Sequence, residues 1–286
     1  MKGSSLMKKS TILRNLLNSG ETLVMPDAYD PISARIIERA GFQAVQCSGF
    51  SFSIAARYPC EADLNLAENA RITQVIADAV DVPIMADGED GYGDLNVVPD
   101  TVSQFIRAGA AGVNIEDLVP MRDKTCDIVG SSFMVEKIAV ARKRTEVEGD
   151  PDFIINARTD ALRAFDSRED GLKEAIKRAN LYFEAGADLV FICYVATLDE
   201  VKTLVKEVHG PISIAAGLPY NITAFTINDL KELGVARVSL PVTAILTAIN
   251  AMSKVMPMIS EPDGFARIIE EGLYCPPEEL AALLSK

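Results

Sequence analysis

Short apolar runs rich in Val and Ile alternate along the chain with longer stretches in which apolar residues recur at helical spacing. The runs predict strands over 22–25, 44–48, 83–87, 112–116, 153–156, 189–193, 212–216 and 237–240. The stretches between them predict helices over 32–40, 66–79, 101–108, 134–148, 171–184, 198–208, 227–233 and 243–256. Several helices run into the same junction: Arg39-Ala40-Gly41-Phe42, Arg107-Ala108-Gly109-Ala110, Glu184-Ala185-Gly186-Ala187 and Glu232-Leu233-Gly234-Val235. A glycine there can take the left-handed conformation that closes a helix, and a strand follows within a few residues.

Repeated strand–helix units of this kind predict an α/β protein, a (β/α)8 TIM-type barrel over 11–257. An extension over 1–10 precedes it and a helical tail over 258–286 follows, with a helix over 277–284 that either caps the barrel or contacts another subunit. The competing open doubly wound sheet lacks support. No Gly-x-Gly-x-x-Gly follows the first strand, and no composition break marks a second half.

Composition narrows the function classes. Hydrophobic residues make up 49% of the chain with no Trp, so Ala, Val, Ile and Leu must build the core, as suits a buried parallel sheet. A formal charge of −13 argues against a nucleic-acid partner, whose backbone requires a basic surface. Cys47, Cys60, Cys126, Cys193 and Cys275 are odd in number and scattered, which reads as reduced thiols in a cytoplasmic protein, not as a disulfide or zinc framework. The first nine residues do not read as a signal peptide, and no apolar run is long enough to span a membrane.

In such a barrel, residues at the C-terminal strand ends face the mouth. Asp87, Glu89 and Asp90 follow the third predicted strand among Gly88, Gly91 and Gly93, and carboxylates this close repel one another unless a cation or protons intervene. Glu116 and Asp117 end the next strand. These are either ordinary turn acids or an oxygen-rich site suited to Mg²⁺ or Mn²⁺. Arg158 ends the fifth strand, where it can grip a carboxylate bidentately or pair with a neighbouring acid. Backbone N–H groups at Ser48-Gly49 could cradle an oxyanion.

With these motifs in order, the sequence resembles the isocitrate lyase/phosphoenolpyruvate mutase superfamily. Leu23-Val24-Met25-Pro26-Asp27-Ala28-Tyr29-Asp30-Pro31-Ile32-Ser33-Ala34 is similar to its first strand and turn. Ser48-Gly49, the 87–93 loop, Ile115-Glu116-Asp117 and Ala157-Arg158-Thr159-Asp160 match further signatures, and the resemblance spans 11–256. It implies a homotetramer whose C-terminal helix packs on a neighbour. It also implies Mg²⁺ holding a 2-oxo or 2-hydroxy carboxylate and stabilising a pyruvate-like enolate. The implied metal ligands are Asp87, Glu89 and Glu116, directly or through water. The implied substrate contacts are Ser48 and Gly49 at the oxyanion, Arg158 at the carboxylate, and Tyr29 nearby.

Departures from the family pattern concern the parts that define each reaction. Glu89 stands where the family usually has Asp. The stretch Met121-Arg122-Asp123-Lys124-Thr125-Cys126-Asp127 carries a Cys without the Lys-Lys/Arg-Cys-Gly-His setting of the lyases. Cys126, with Lys124 beside it, is thus either a catalytic acid or base or an incidental thiol; Arg122 and Lys124 favour its thiolate and the flanking acids oppose it. A family Asp falls near Tyr58-Pro59-Cys60-Glu61-Ala62-Asp63, where Cys60 stands and Glu61 or Asp63 are candidates to compensate. Cys193 replaces a Glu of lyases or a His of mutases, and the chain's one histidine, His209, reads as a surface residue. The expected activity is a Mg²⁺-dependent lyase that cleaves a C–C bond of a small 2-hydroxy or 2-oxo (di)carboxylic acid through an enolate. Decarboxylation of an oxaloacetate-like acid is a variant. The alternatives are a P–C bond enzyme (phosphoenolpyruvate mutase or phosphonopyruvate hydrolase) and a catalytically inactive metal- or ligand-binding barrel.

Overall fold

Eight parallel strands close into a ring in chain order in the computed structural model of the protein, which describes residues 7–120 and 126–285. They are β1 (Leu23–Ala28), β2 (Val45–Cys47), β3 (Ile84–Asp87), β4 (Gly112–Glu116), β5 (Ile154–Thr159), β6 (Leu189–Ile192), β7 (Ile212–Ala215) and β8 (Arg237–Leu240). The ring shuts where β8 pairs with β1, Leu23 opposite Arg237 and Pro26 opposite Leu240. The expected TIM-type barrel is therefore present, and the open sheet is excluded.

The helices before the fifth strand are α1 (Lys9–Leu17), α2 (Pro31–Arg39), α3 (Gly49–Ala56), α4 (Leu66–Ala79), α5 (Val98–Arg107) and α6 (Ser131–Val147). After β5 come α7 (Ala161–Ala164), α8 (Arg168–Glu184), α9 (Leu198–Glu207), α10 (Ile227–Glu232), α11 (Thr243–Met258), α12 (Gly264–Glu270) and α13 (Pro277–Leu284). Caps explain the starts that periodicity missed by a few residues. Ser167 accepts from the Asp170 N–H, so α8 begins a turn earlier than its apolar stripe, and Pro99 in the first turn does the same for α5. The junction glycines Gly41, Gly109, Gly186 and Gly234 take φ of +90°, +83°, +104° and +78°, as their positions after helices predict.

The barrel's lower end is sealed by α1, whose Leu13 and Leu17 pack on Leu23, Met25, Met85, Ile154 and Leu189. This helix begins inside the 1–10 stretch read from sequence as an extension. Inside the ring lies a buried cation, Arg237 of β8. It donates to Ser213 Oγ (3.0 Å) and to Gln46 Oε1, with Phe191 stacked 5.5 Å away. A buried guanidinium is tolerable only with its donors engaged, which these side chains provide. At the far end, α13 returns to α2, where Arg35 and Arg39 donate to the carbonyls of Leu283 and Ala282. No helix among the described residues is long and apolar enough to cross a membrane.

Candidate active site

The C-terminal ends of β2 to β5 deliver an acid cluster to the barrel mouth. Asp87, the last residue of β3, is buried; its Oδ2 accepts the Gly49 N–H (3.0 Å), and its carbonyl accepts from Asn69 Nδ2 (2.9 Å). The loop that follows turns back sharply, with Glu89 and Tyr92 both at positive φ (48° and 60°). Non-glycine residues adopt that conformation at a cost of about 1–3 kcal/mol each, which persists only where the surroundings enforce it. Here the Glu116 N–H holds the Glu89 carbonyl (2.8 Å), and Asn69 Nδ2 holds the Tyr92 hydroxyl (2.7 Å). Asp90 points away from the cluster: its Oδ1 accepts from the Tyr92 N–H and its carbonyl from buried Lys137.

The short 3₁₀ turn Glu61–Asp63, after α3, swings Glu61 onto the same spot. Carboxylate oxygens of Glu61, Asp87 and Glu89 lie within 4.8 Å of one another. Burial together with the Asp87 charge raises the Glu61 carboxyl to about 7 and pushes the Glu89 carboxyl well above its ordinary range. Asp87 Oδ1 and Glu89 Oε1 are buried without any hydrogen-bond partner. Orphaned anionic oxygens this close destabilise a protein unless protons or a cation join them. The donor set is all oxygen, so the residues fit Mg²⁺ or Mn²⁺.

Of the three expected ligands, Asp87 and Glu89 are thus brought together, with Glu61 in the place expected of Glu116. Glu116 faces Arg158, whose Nη1 approaches its Oε2 to 2.6 Å as an ion pair, without the alignment of a hydrogen bond. Burial raises the Glu116 carboxyl and the Arg158 charge opposes that rise. The Arg158 guanidinium also grips Asp160 bidentately (Nε to Oδ2 2.8 Å, Nη2 to Oδ1 3.0 Å). Asp117, adjacent to Glu116 in sequence, emerges on the outer face and binds Arg178 and the Tyr182 hydroxyl of α8. It is a structural acid.

Gly49, expected as an oxyanion cradle, spends its N–H on Asp87. A Cβ there would lie 1.7 Å from Glu89 Oε1, so only glycine lets that carboxylate reach the cluster. Gly49→Ala should therefore displace Glu89 and weaken Mg²⁺ binding by at least about tenfold, judged against what lost support around a metal ligand typically does; isothermal titration with Mg²⁺ checks this, and an unchanged affinity would remove Glu89 from the ligand set.

Two adjoining hollows of about 550 and 540 Å³ open at the mouth, with Glu61, Phe50, Ile54 and Arg163 on both. The first contains Glu89, Glu116 and Cys60; the second contains Ser48, Asp87, Arg158 and Cys193. Tyr29, expected near the substrate, packs against the core at the start of α2 and lines neither hollow. Burial pushes the Cys126 thiol up to about 11, with Asp160 adding to the rise. Lys124, with Arg122, lies outside the described residues. His209 is exposed beyond α9, as expected. Arg163 and Tyr220 also line the mouth, and no sequence motif marks either of them.

Comparison with known proteins agrees with this geometry. Residues 13–260 match the phosphoenolpyruvate phosphomutase family. The chain is 32% identical to 2-methylisocitrate lyase of Aeropyrum pernix, over 94% of this chain and 85% of that protein. It is 30% identical to 2,3-dimethylmalate lyase of Eubacterium barkeri, over 92% and 90%. Among solved structures, phosphonopyruvate hydrolase in complex with oxalate and Mg²⁺ superposes with a TM-score of 0.81 at 30% identity, covering 97% of this chain and 95% of that one. A barrel closed in chain order, acids and an arginine at the ends of its third to fifth strands, and relatives matched over nearly their whole length converge on one assignment: the chain belongs to the phosphoenolpyruvate phosphomutase family.

Proposed function

We propose that the protein is a Mg²⁺-dependent lyase, with Mn²⁺ able to substitute, that cleaves a C–C bond of a small 2-hydroxy or 2-oxo (di)carboxylic acid through a pyruvate-like enolate. The observation that carries this reading is the gathering of Glu61, Asp87 and Glu89, with orphaned oxygens, at a cavity that Arg158 also lines. Those three carboxylates would hold the cation, which when bound supplies Lewis-acid charge where the enolate oxygen develops. Arg158 keeps N–H groups on Nη1 and Nη2 beyond those used by Glu116 and Asp160, and these orient the substrate carboxylate. Ser48, buried, lines the second hollow together with Asp87.

The Cys126 thiol, raised to about 11, keeps its proton at neutral pH. Cys126 is not among the residues lining the two hollows; the role proposed for it rests on the family resemblance and is to give a proton to the carbon released by bond cleavage, with Lys124, two residues before it in sequence, in the same catalytic set. Cys126→Ala should lower kcat by about a hundredfold, the lower range for a positioned general acid. A rate equal to the wild type would take the thiol out of the mechanism.

The deciding experiment incubates the protein with Mg²⁺ and malates, methylisocitrate, oxaloacetate or phosphonopyruvate, and follows keto-acid products by NMR. Keto acid from a hydroxy diacid supports the lyase reading. The P–C alternative is favoured by the 30% identity to phosphonopyruvate hydrolase, and phosphate release from phosphonopyruvate would establish it. Silence across the panel would leave a binding barrel, against which the strained, orphaned acid cluster argues.

We place the protein in the cytoplasm, in keeping with five free cysteines. We also propose a homotetramer in which the tail of one subunit packs on another. Supporting this, Met252, Met256, Phe265, Ile269 and Tyr274 of the C-terminal segment are largely exposed apolar groups with no cover in the single chain. Sedimentation analysis tests it.

A further inference from the structure

The second hollow has two unlike ends. Its inner end carries Asp87, Asn114, Gln46 and Arg158; its outer wall is built by Tyr194, Leu218 and Tyr220, with Phe50, Val242 and Leu246 completing it. The outer wall is held firmly. Tyr194 sits at φ +62°, a conformation that a bulky aromatic residue keeps only under constraint. Arg168 binds its carbonyl, and Arg163 donates to its hydroxyl (2.8 Å). Its ring stacks on Tyr220, with centroids 5.3 Å apart and planes at 30°. Leu218 is fixed by Asn221, a buried side chain whose Oδ1 takes the Leu218 N–H while its Nδ2 spans to Val195 and Ala215.

Phe50 and Leu246 are nonetheless 48% and 45% exposed. Large apolar groups gathered and exposed at a cavity mouth mark a surface that something apolar covers. Among the described residues lining this hollow, the cations are Arg158, at the inner end, and Arg163, whose guanidinium lies over the Tyr194 ring at 5.2 Å. Arg163 gives the Tyr194 edge of the wall a cation, but Leu218 and the ring of Tyr220 offer a carboxylate no charge of their own and would strip it of water, whereas an alkyl or aryl group would gain from the same contact.

Resting on the lyase reading above, we infer that the substrate bears an uncharged alkyl or aryl substituent, seated against Tyr194, Leu218 and Tyr220, where a further carboxylate would otherwise lie. The test is titration calorimetry of the Mg²⁺-loaded protein with oxalate, 2-oxoglutarate and 5-methyl-2-oxohexanoate. The last two have the same shape, with a branched alkyl end replacing a carboxylate. The alkyl acid should bind at least about tenfold more tightly than 2-oxoglutarate, given the gain per buried methylene. In Leu218→Arg that preference should shrink by at least about tenfold, with Tyr220→Ala as a second variant that lowers the affinity for the alkyl acid. Oxalate bound without any preference for the alkyl acid would overturn this inference alone. Failure of oxalate itself to bind would overturn the lyase reading, and this inference with it.

Discussion

In an Asp87→Asn variant, turnover of the substrate found by the NMR panel should fall by more than about a hundredfold, since even residues that only support a metal ligand are worth about 10–100-fold. Asn keeps an oxygen for the Gly49 N–H, so the strand end stays in place. The thermal response should separate two effects of opposite sign. Without cation the variant should melt higher than the wild type, because the Asp87 charge is among the causes that raise the Glu89 and Glu61 carboxyls. With Mg²⁺ the wild type should gain stability by binding in the native state and the variant should gain little. Scanning fluorimetry with and without Mg²⁺ reads both, and a variant that still responds fully to Mg²⁺ would remove Asp87 from the site.

The sign of the pH effect follows from Glu61. Its carboxyl is raised to about 7 in the folded protein, so without cation the native state binds a proton that the unfolded chain has lost, and stability falls as pH rises through about 7. A cation competes with that proton. Mg²⁺ affinity should therefore rise over the same interval.

Arg158→Met should be the most destabilising single change at the mouth. The side chain closes an ion pair with buried Glu116 and a bidentate pair with fully buried Asp160. Removing one partner of a buried pair leaves uncompensated charge and typically destabilises by about 3–5 kcal/mol. Glu116 gives this loss a pH signature. Without the Arg158 charge its already raised carboxyl moves further up, so the variant should recover part of its stability as pH falls and Glu116 takes a proton. Urea titrations at neutral and mildly acidic pH measure the difference; a constant loss would show that Glu116 is not coupled to Arg158. Any remaining activity should show a raised KM, since the substrate carboxylate loses its clamp.

What the sequence revealed and what it hid divide along physical lines. The strands were readable as apolar runs because both faces of each are covered, and the junction glycines because a helix that must turn into a strand needs a residue at positive φ. The apolar run predicts β5 only as far as Asn156, because Arg158 breaks it; the strand continues to Thr159, with Arg158 paired in register to Glu116. α3 was missed because Gly-Phe-Ser-Phe-Ser-Ile-Ala-Ala has no polar stripe to set against an apolar one.

At the site, strand alternation separates Glu116 from Asp117, one facing the mouth and the other α8, a distinction that treating them as a pair overlooked. Glu61 was at most one of two candidates, because an irregular segment has no period to fix where a side chain points. The apolar wall was not legible at all: Phe50, Tyr194, Leu218, Tyr220 and Leu246 come from separate loops and helices and meet only once the ring is formed.

That ring imposes an order on folding. Neighbouring strands from β1 to β8 pair through short connections, but the last seam joins Leu23 to Arg237 across nearly the whole chain. A pairing so distant in sequence slows folding, although the entropy of closing the loop grows only slowly with its length. Until β8 has been made, any sheet formed by the earlier strands has no partner for the edge of β1 or for that of its newest strand. Its floor side chains, including the future neighbours of Arg237, stay wet until then. A truncated chain ending before β8 should accordingly aggregate and not populate a smaller barrel, because the exposed edges have no partner but each other.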